Sequence, residues 1–263
     1  MKINNRYILL SFDVEEFDLP LEYKIPISEQ QQMEVGKKGL DAITSITDDV
    51  TVQCTLFTTA NFALKFPASI AALSKSHEIA SHTFFHSTFH LPDLINSREV
   101  LEQIISKKVQ GLRMPRMQNI SAGEVTRAGY SYDASINPTW IPGRYNNLQQ
   151  PRTIFRQGNI YRVPVSVSPN LRVPLFWLSF KNFPFFYFKK IALQALKQDG
   201  YISLYFHPWE FTDLTGYSLP AMIKRKSGKE LLDKLHLLIS DLKNEGEFVT
   251  TQNFLENYFP GNN

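Results

Sequence analysis

The chain has a single cysteine, Cys54, in 263 residues. An intrachain disulfide is excluded, and nothing points to an oxidising compartment. Net charge is slight, +3 with histidine neutral, and no basic run is built to track a nucleic-acid groove. No stretch of about 18 uninterrupted apolar residues occurs, so no membrane span is expected. The opening segment, MKINNRYILLSFDVEEF, holds only a short apolar run that ends in acids. It lacks the longer apolar region and small-residue cleavage site of a secretory leader, which makes the cytoplasm the expected location. Internal repeats, low-complexity tracts and an interdomain linker are all missing. One domain over residues 1–263 is the simplest expectation.

What is present suits a packed core: 43% of residues are hydrophobic and 20% charged, a balance unlike that of disordered chains. Residues 7–12 form an apolar run bounded by Asp13, Glu15 and Glu16. That pattern predicts a strand buried on both faces, with polar groups at its carboxyl end. After a loop rich in Gln and Pro, helical spacing appears at 39–47 and strand character at 52–58. A helix is expected at 62–74, with Pro67 near its start or kinking it. A short strand at 78–81 leads into a histidine segment. Ser97 can cap a helix to about residue 109, and Ser121 one over 122–128 that Gly129 ends. Strands are expected at 111–114, 130–133 and 160–167, with a long loop at 137–153. A helix at 186–197 stops at Gly200, and a strand at 201–206 runs into His207. A helix at 228–243, a strand at 248–250 and a last helix to about residue 258 complete the chain. Strands alternate with helices throughout, which predicts an α/β fold with a largely parallel sheet, closed or nearly closed into a barrel.

The histidine segment, residues 81–90, reads SHTFFHSTFH. If it turns helically, His82 and His86 leave one face. Two neutral imidazoles so placed are two-thirds of a common metal site, which a carboxylate completes. The plainer reading is a polar turn whose histidines bond to backbone groups. The spacing lacks the glutamate of the zinc-protease motif. His90 continues the spacing, but Pro92 soon breaks the helix, which argues against a ligand role. His77 and His236 read as structural or exposed.

In a parallel barrel functional groups gather at the carboxyl ends of strands. Asp13 and Glu15, then His82 and His86, then Arg113, and finally His207 all fall at such ends. On a continuing strand 13 and 15 share a side, while Glu16 faces away toward solvent or a structural ion pair. The aromatic segment 173–188, VPLFWLSFKNFPFFYF, is broken by Pro174, Lys181 and Pro184. It reads as a buried lid or core packing, with contact to lipid or to sugar as the alternative. Trp140 and Trp209 suit either a sugar platform or buried packing.

Several of these stretches together resemble one family. His82-Thr83-Phe84-Phe85-His86-Ser87 fits H-[S/T]-x-x-H-[S/T], and Glu78-Ile79-Ala80-Ser81 precedes it as in the family. Phe12-Asp13-Val14-Glu15 resembles a D-x-[D/E] variant of the first motif, and Thr55-Leu56-Phe57 the TFF strand. Leu112-Arg113-Met114-Pro115 resembles the arginine motif, residues 130–135 the GYxYDxS stretch, and residues 204–208 the last motif. In this order they resemble the polysaccharide deacetylase (NodB-homology) superfamily, the carbohydrate esterases of family four. The resemblance spans residues 7 to 210.

It implies a distorted (β/α)7 barrel and metal-dependent hydrolysis of an acyl group on a sugar. By the resemblance, His82, His86 and Glu15 hold a divalent metal. Zinc is the default, and cobalt, nickel or iron fit the same donors. Asp13 becomes the general base that takes a proton from water, Arg113 orients and charge-balances it, and His207 protonates the departing amine. The implied partner is a carbohydrate: a polysaccharide, an oligosaccharide or a lipid-linked precursor. A small amide or cyclic ureide is the enzymatic alternative, and a carbohydrate-binding protein without catalysis the other. The chain departs from the pattern in three places. Val14 replaces the usual second aspartate. Pro115-Arg116-Met117 stands where Pro-Tyr-Gly is common. No carboxylate lies in 163–167, so the group that orients His207 is open, with Asp133 as the candidate.

Overall fold

A computed structural model describes residues 6–259 of the chain. Residues 1–5, where the segment read for a leader begins, lie outside the described residues. Seven parallel strands form the centre: β1 (Tyr7–Val14), β2 (Cys54–Thr58), β3 (Glu78–Ser81), β4 (Gly111–Leu112), β5 (Tyr132–Asp133), β6 (Ile160–Arg162) and β7 (Tyr201–Phe206). Their order in the sheet is β7-β1-β2-β3-β4-β5-β6. Phe155–Gln157 pairs antiparallel with β6, and Glu247–Phe248 lies beside the start of β1. The seam between β6 and β7 is bridged after β6: Ser166 N donates to Ser203 O, and Ser203 N donates to Ser166 Oγ. The sheet is thus curled into a distorted (β/α)7 barrel, the form the resemblance implied, where the alternation of elements had pointed only to a closed or nearly closed barrel.

β1 is buried along its whole length, as a central parallel strand with both faces covered must be. Its alternation sorts the two cores. Ile8, Leu10 and Phe12 pack outward on helices, whereas Tyr7 and Leu9 join Phe57 and Tyr132 inside the barrel. Ser11 and Asp13 follow the inward set by the same period of two. Since Phe12 is level with Phe206, the residues after β1 and after β7 emerge together at the carboxyl end of the barrel.

Several elements differ from expectation for local reasons. The Gln-rich stretch is helical: the helix is Glu29–Ala42, started by a capping box between Ser28 and Gln31. Glutamine is a good helix former, and that propensity decides the state of the segment. The expected helix at 62–74 is two, Ala60–Lys65 and Pro67–Leu73, because Pro67 tolerates only the first turn. The helix expected from Ser97 is Asp93–Ile105. Ser97 lies inside it, donating back to Leu94 O. Strands β4, β5 and β6 are shorter than expected, since the chain leaves the ladder just where it enters the loops of the site. The loop at 137–153 contains a small hairpin, Trp140–Ile141 with Tyr145–Asn146.

The aromatic segment is mostly core. Phe176, Phe180 and Phe188 are buried, while Phe186 is exposed. No helix among the described residues is long and apolar enough to cross a membrane.

Candidate metal centre

The pairing of β1 with β2 ends at Val14 opposite Thr58. Glu15 therefore lies beyond the ladder, and strand alternation does not decide where it or Glu16 points. Both are buried. Glu16 makes neither of the contacts expected of it, solvent or an ion pair. Its Oε2 accepts the Thr59 hydroxyl at 2.7 Å, and its Oε1 accepts the backbone N–H of His86 at 3.0 Å. It ties the end of β1 to the histidine loop.

That loop is not helical. Thr83 has φ +63, and the chain crosses the end of β2 through His82 N donating to Thr58 O, with Ala60 N donating to Thr83 O. The four-residue spacing still brings the rings together, with centroids 5.6 Å apart and planes at 25°. The turn does here what a helix face was expected to do. His90 is exposed, and its N–H donates to Asp93, so it lies outside the group.

Glu15 Oε2 is 3.0 Å from His82 Nε2 and 3.4 Å from His86 Nε2. One donor atom from each of the three residues lies within 4.8 Å of the others. Glu15 Oε2 is buried and has no hydrogen-bond partner, a costly state for a carboxylate oxygen. The other atoms of the set are already engaged. His82 Nδ1 donates to Arg113 O at 2.8 Å, and His86 Nδ1 donates to Asp18 Oδ1 at 2.6 Å. Glu15 Oε1 accepts Trp209 Nε1–H at 3.0 Å. Each outer contact fixes a tautomer or a rotamer and leaves an inward lone pair, the pattern expected around a metal ligand. Two imidazole nitrogens and one carboxylate oxygen fit a divalent transition ion with positions left for water and substrate.

Electrostatics agrees with that donor set. Burial by itself would raise the Glu15 carboxyl, yet His86, His82 and His207 hold it well below the carboxylate range. Burial would lower His86, but Glu15 and Asp18 raise it to about 9. The charge that favours a proton on His86 equally favours a cation between these side chains.

Asp13 and Arg113 meet beside this centre. Arg113 Nη1 is 2.5 Å from Asp13 Oδ1, and both are buried. Arg113 is further fixed by Ser11 Oγ, Ala134 O and the ring of Phe57. Its pair with Asp13 is an interior one.

His207 Nε2 is 3.9 Å from Asp13 Oδ2. Its Nδ1 lies 3.2 Å from Glu210 Oε1, which also accepts the His207 backbone N–H. Asp133, the residue expected to orient His207, is instead paired with Arg162 at 2.5 Å and bonded by Ser135. It sits on β5 and is taken up by its neighbour on β6. Glu210 is fully buried, with Lys181 Nζ 3.4 Å from its Oε2. Burial would lower His207, but its bond to Glu210 and the charges of Glu15 and Asp13 raise it.

Trp209 is no sugar platform. It is buried and lies nearly parallel to His207, 4.7 Å away. The helix Glu29–Ala42 binds both halves of the site: a Cβ on Gly36 would lie 2.4 Å from Glu15 O, and one on Gly39 2.4 Å from Pro208 C. A cleft of about 290 Å3 opens over the centre, walled in part by Met114, Trp177, Leu178 and Met222. Trp140 stands 60% exposed on the hairpin beside the cleft.

Asp18, Glu210, Lys181 and Trp209 were not singled out for these roles by sequence. For Glu210 and Trp209 a signal existed: both lie in the 3₁₀ turn Pro208–Phe211 directly after His207. Asp18 lies three residues past Glu15 and offered no pattern of its own.

No family model matches the chain, and no curated protein matches it in sequence. Solved structures do. A protein assigned as a polysaccharide deacetylase from Pseudomonas aeruginosa superposes with a TM-score of 0.67 at 12% identity, over 97% of this chain and 93% of its own. One assigned likewise from Mycobacterium smegmatis gives 0.65 at 15%, over 97% and 91%. The allantoinase PuuE gives 0.63 at 15%, over 98% and 93%. The likeness to these three proteins is one of fold.

Proposed function

We propose that the chain is a metal-dependent hydrolase that removes an N-acyl group, in the first place acetyl, from an amino sugar. The observation that carries this reading is the unpartnered, buried Glu15 Oε2 facing two imidazoles whose outer nitrogens are taken. Glu15, His82 and His86 would hold the cation. Such an ion supplies Lewis acidity, making water reactive at neutral pH and drawing charge from the acyl carbonyl.

The rest of the reaction falls to the chain's own groups. Asp13, held by Arg113, takes a proton from the attacking water. His207 gives a proton to the leaving nitrogen through Nε2, which faces the Asp13 side while Nδ1 is held by Glu210. An amine leaves poorly without that proton, and imidazole suits the task near neutral pH. Leu178 and Trp177 close one wall of the cleft and keep bulk water from the proton transfers.

An allantoinase shares the fold, so a small cyclic ureide is the competing substrate. The test is acyl release from N-acetylated chito-oligosaccharides and from a cyclic ureide, with zinc, cobalt, nickel and iron supplied in turn. The reading expects acetate from the sugar, and a loss of roughly 10²–10⁴-fold in Asp13→Asn. Turnover of the ureide alone would move the assignment to small amides. Binding of the sugar without release under any metal would make it a binding protein.

A further inference from the structure

Four exposed hydrophobic side chains gather at the mouth of the cleft: Leu21, Tyr23, Trp140 and Met222. Leu21 and Tyr23 follow β1, Trp140 follows β5 and Met222 follows β7, so all four come from segments that leave the carboxyl ends of strands. Tyr23 and Met222 line the cleft, Leu21 lies between Leu19 and Glu22, which line it too, and Trp140 directly precedes Ile141 in its wall.

Cations accompany these side chains. Lys24 stands beside Tyr23, and Arg225 and Lys226 follow Met222; all three are exposed and make no ion pair among the described residues. Glu22, the acid of the first of these loops, is taken up by Arg116 and Arg144. No acid lies between Asp213 and Glu230. The two loops are held side by side, since Leu19, Leu219 and Ile223 share one small core with Ile25. Scattered apolar residues on a surface mean little, but a collected rim of them around a cleft marks an interaction site. Aromatic rings with unpaired lysine and arginine are the composition of a surface that sits in an anionic lipid interface.

The geometry points to the catalytic end of the barrel as a docking face for an anionic lipid bilayer, with Leu21, Tyr23, Trp140 and Met222 entering the interface and Lys24, Arg225 and Lys226 meeting its headgroups. Docked this way, the cleft opens toward the membrane, and the acylated substrate is reached from the lipid surface. The docking is a property of the surface and stands apart from the proposed hydrolysis, so either can fail without the other.

The test is co-sedimentation of the full chain with vesicles of phosphatidylcholine alone and of phosphatidylcholine with phosphatidylglycerol, while Trp140 emission is followed. Trp209 is buried and Trp177 partly so, which makes Trp140 the reporter and Trp140→Phe its control. The expected result is binding to the anionic vesicles with a blue shift that Trp140→Phe abolishes. The triple variant Lys24→Glu/Arg225→Glu/Lys226→Glu should bind at least about tenfold more weakly, as should Leu21→Ser/Trp140→Ser. Binding no greater than to phosphatidylcholine would overturn the proposal. So would undiminished binding of the triple variant, which would place the contact on another face. Dimerisation without vesicles that the same substitutions abolish would assign the face to a second copy of the chain instead.

Discussion

The indole N–H of Trp209 donates to Glu15 Oε1 at 3.0 Å, joining the segment after β7 to the segment after β1. One oxygen of Glu15 is thereby used, and the other is left facing His82 and His86. Trp209→Phe keeps most of the buried ring and removes the donor. Outer contacts of this kind are worth about 10–100-fold in metal affinity. A fall of that size is expected in metal titrations, with little change in thermal stability.

Lys181 and Glu210 form a fully buried pair. Removing one partner leaves an uncompensated charge, at a cost of about 3–5 kcal/mol, whereas removing both charges is far less damaging. Lys181→Met should therefore be strongly destabilised in denaturant unfolding, and Lys181→Met/Glu210→Gln should recover a large part of the loss. A double variant as unstable as the single one would remove the coupling.

His207 is raised above its ordinary 6.5 despite burial, because it bonds Glu210 and lies near Glu15 and Asp13. Its protonated form therefore persists above pH 6.5 and is lost as pH rises through the raised value. If His207 is the acid, the alkaline limb of kcat/KM lies above pH 6.5. In Glu210→Gln the limb should move to lower pH, and a pH–rate profile reads both positions. An unmoved limb would take the acid role from His207.

The helix Glu29–Ala42 reaches the site only because Gly36 and Gly39 lack a Cβ, the nearest backbone atoms being 2.4 Å from where one would sit. Neither residue has a positive φ, so alanine tests the approach alone. Gly36→Ala and Gly39→Ala should each cost about 1–3 kcal/mol, seen as a lower denaturation midpoint. Gly123→Ala, where the nearest atom to a new Cβ would be Arg127 Nη1 at 3.8 Å, should not.

The sequence made much of this readable where a side chain's task is set by its own strand or loop. The run before Asp13 marked β1, and the histidine pair, Arg113 and His207 fell at strand ends. The structure brings Glu15, His82 and His86 together, although the reason given for the histidines, a shared helix face, does not hold. What stayed hidden are contacts between segments far apart in the chain. Asp18 serves His86 across 68 residues, and Trp209 serves Glu15 across 194. Glu210 was hidden by its neighbours, since a carboxylate in an aromatic turn reads as surface until Lys181 is seen against it. The helix at 29–42 was missed because glutamine blurs the apolar period on which the helix reading rested.

Metal analysis of the purified protein beside His82→Ala tests the central claim most directly. The account predicts about one divalent ion per wild-type chain, the ion count expected of a two-histidine, one-carboxylate centre, and its loss in the variant with the fold intact by circular dichroism. Equal metal content in the two proteins, or none in wild type after supply of zinc, cobalt, nickel and iron, would contradict it.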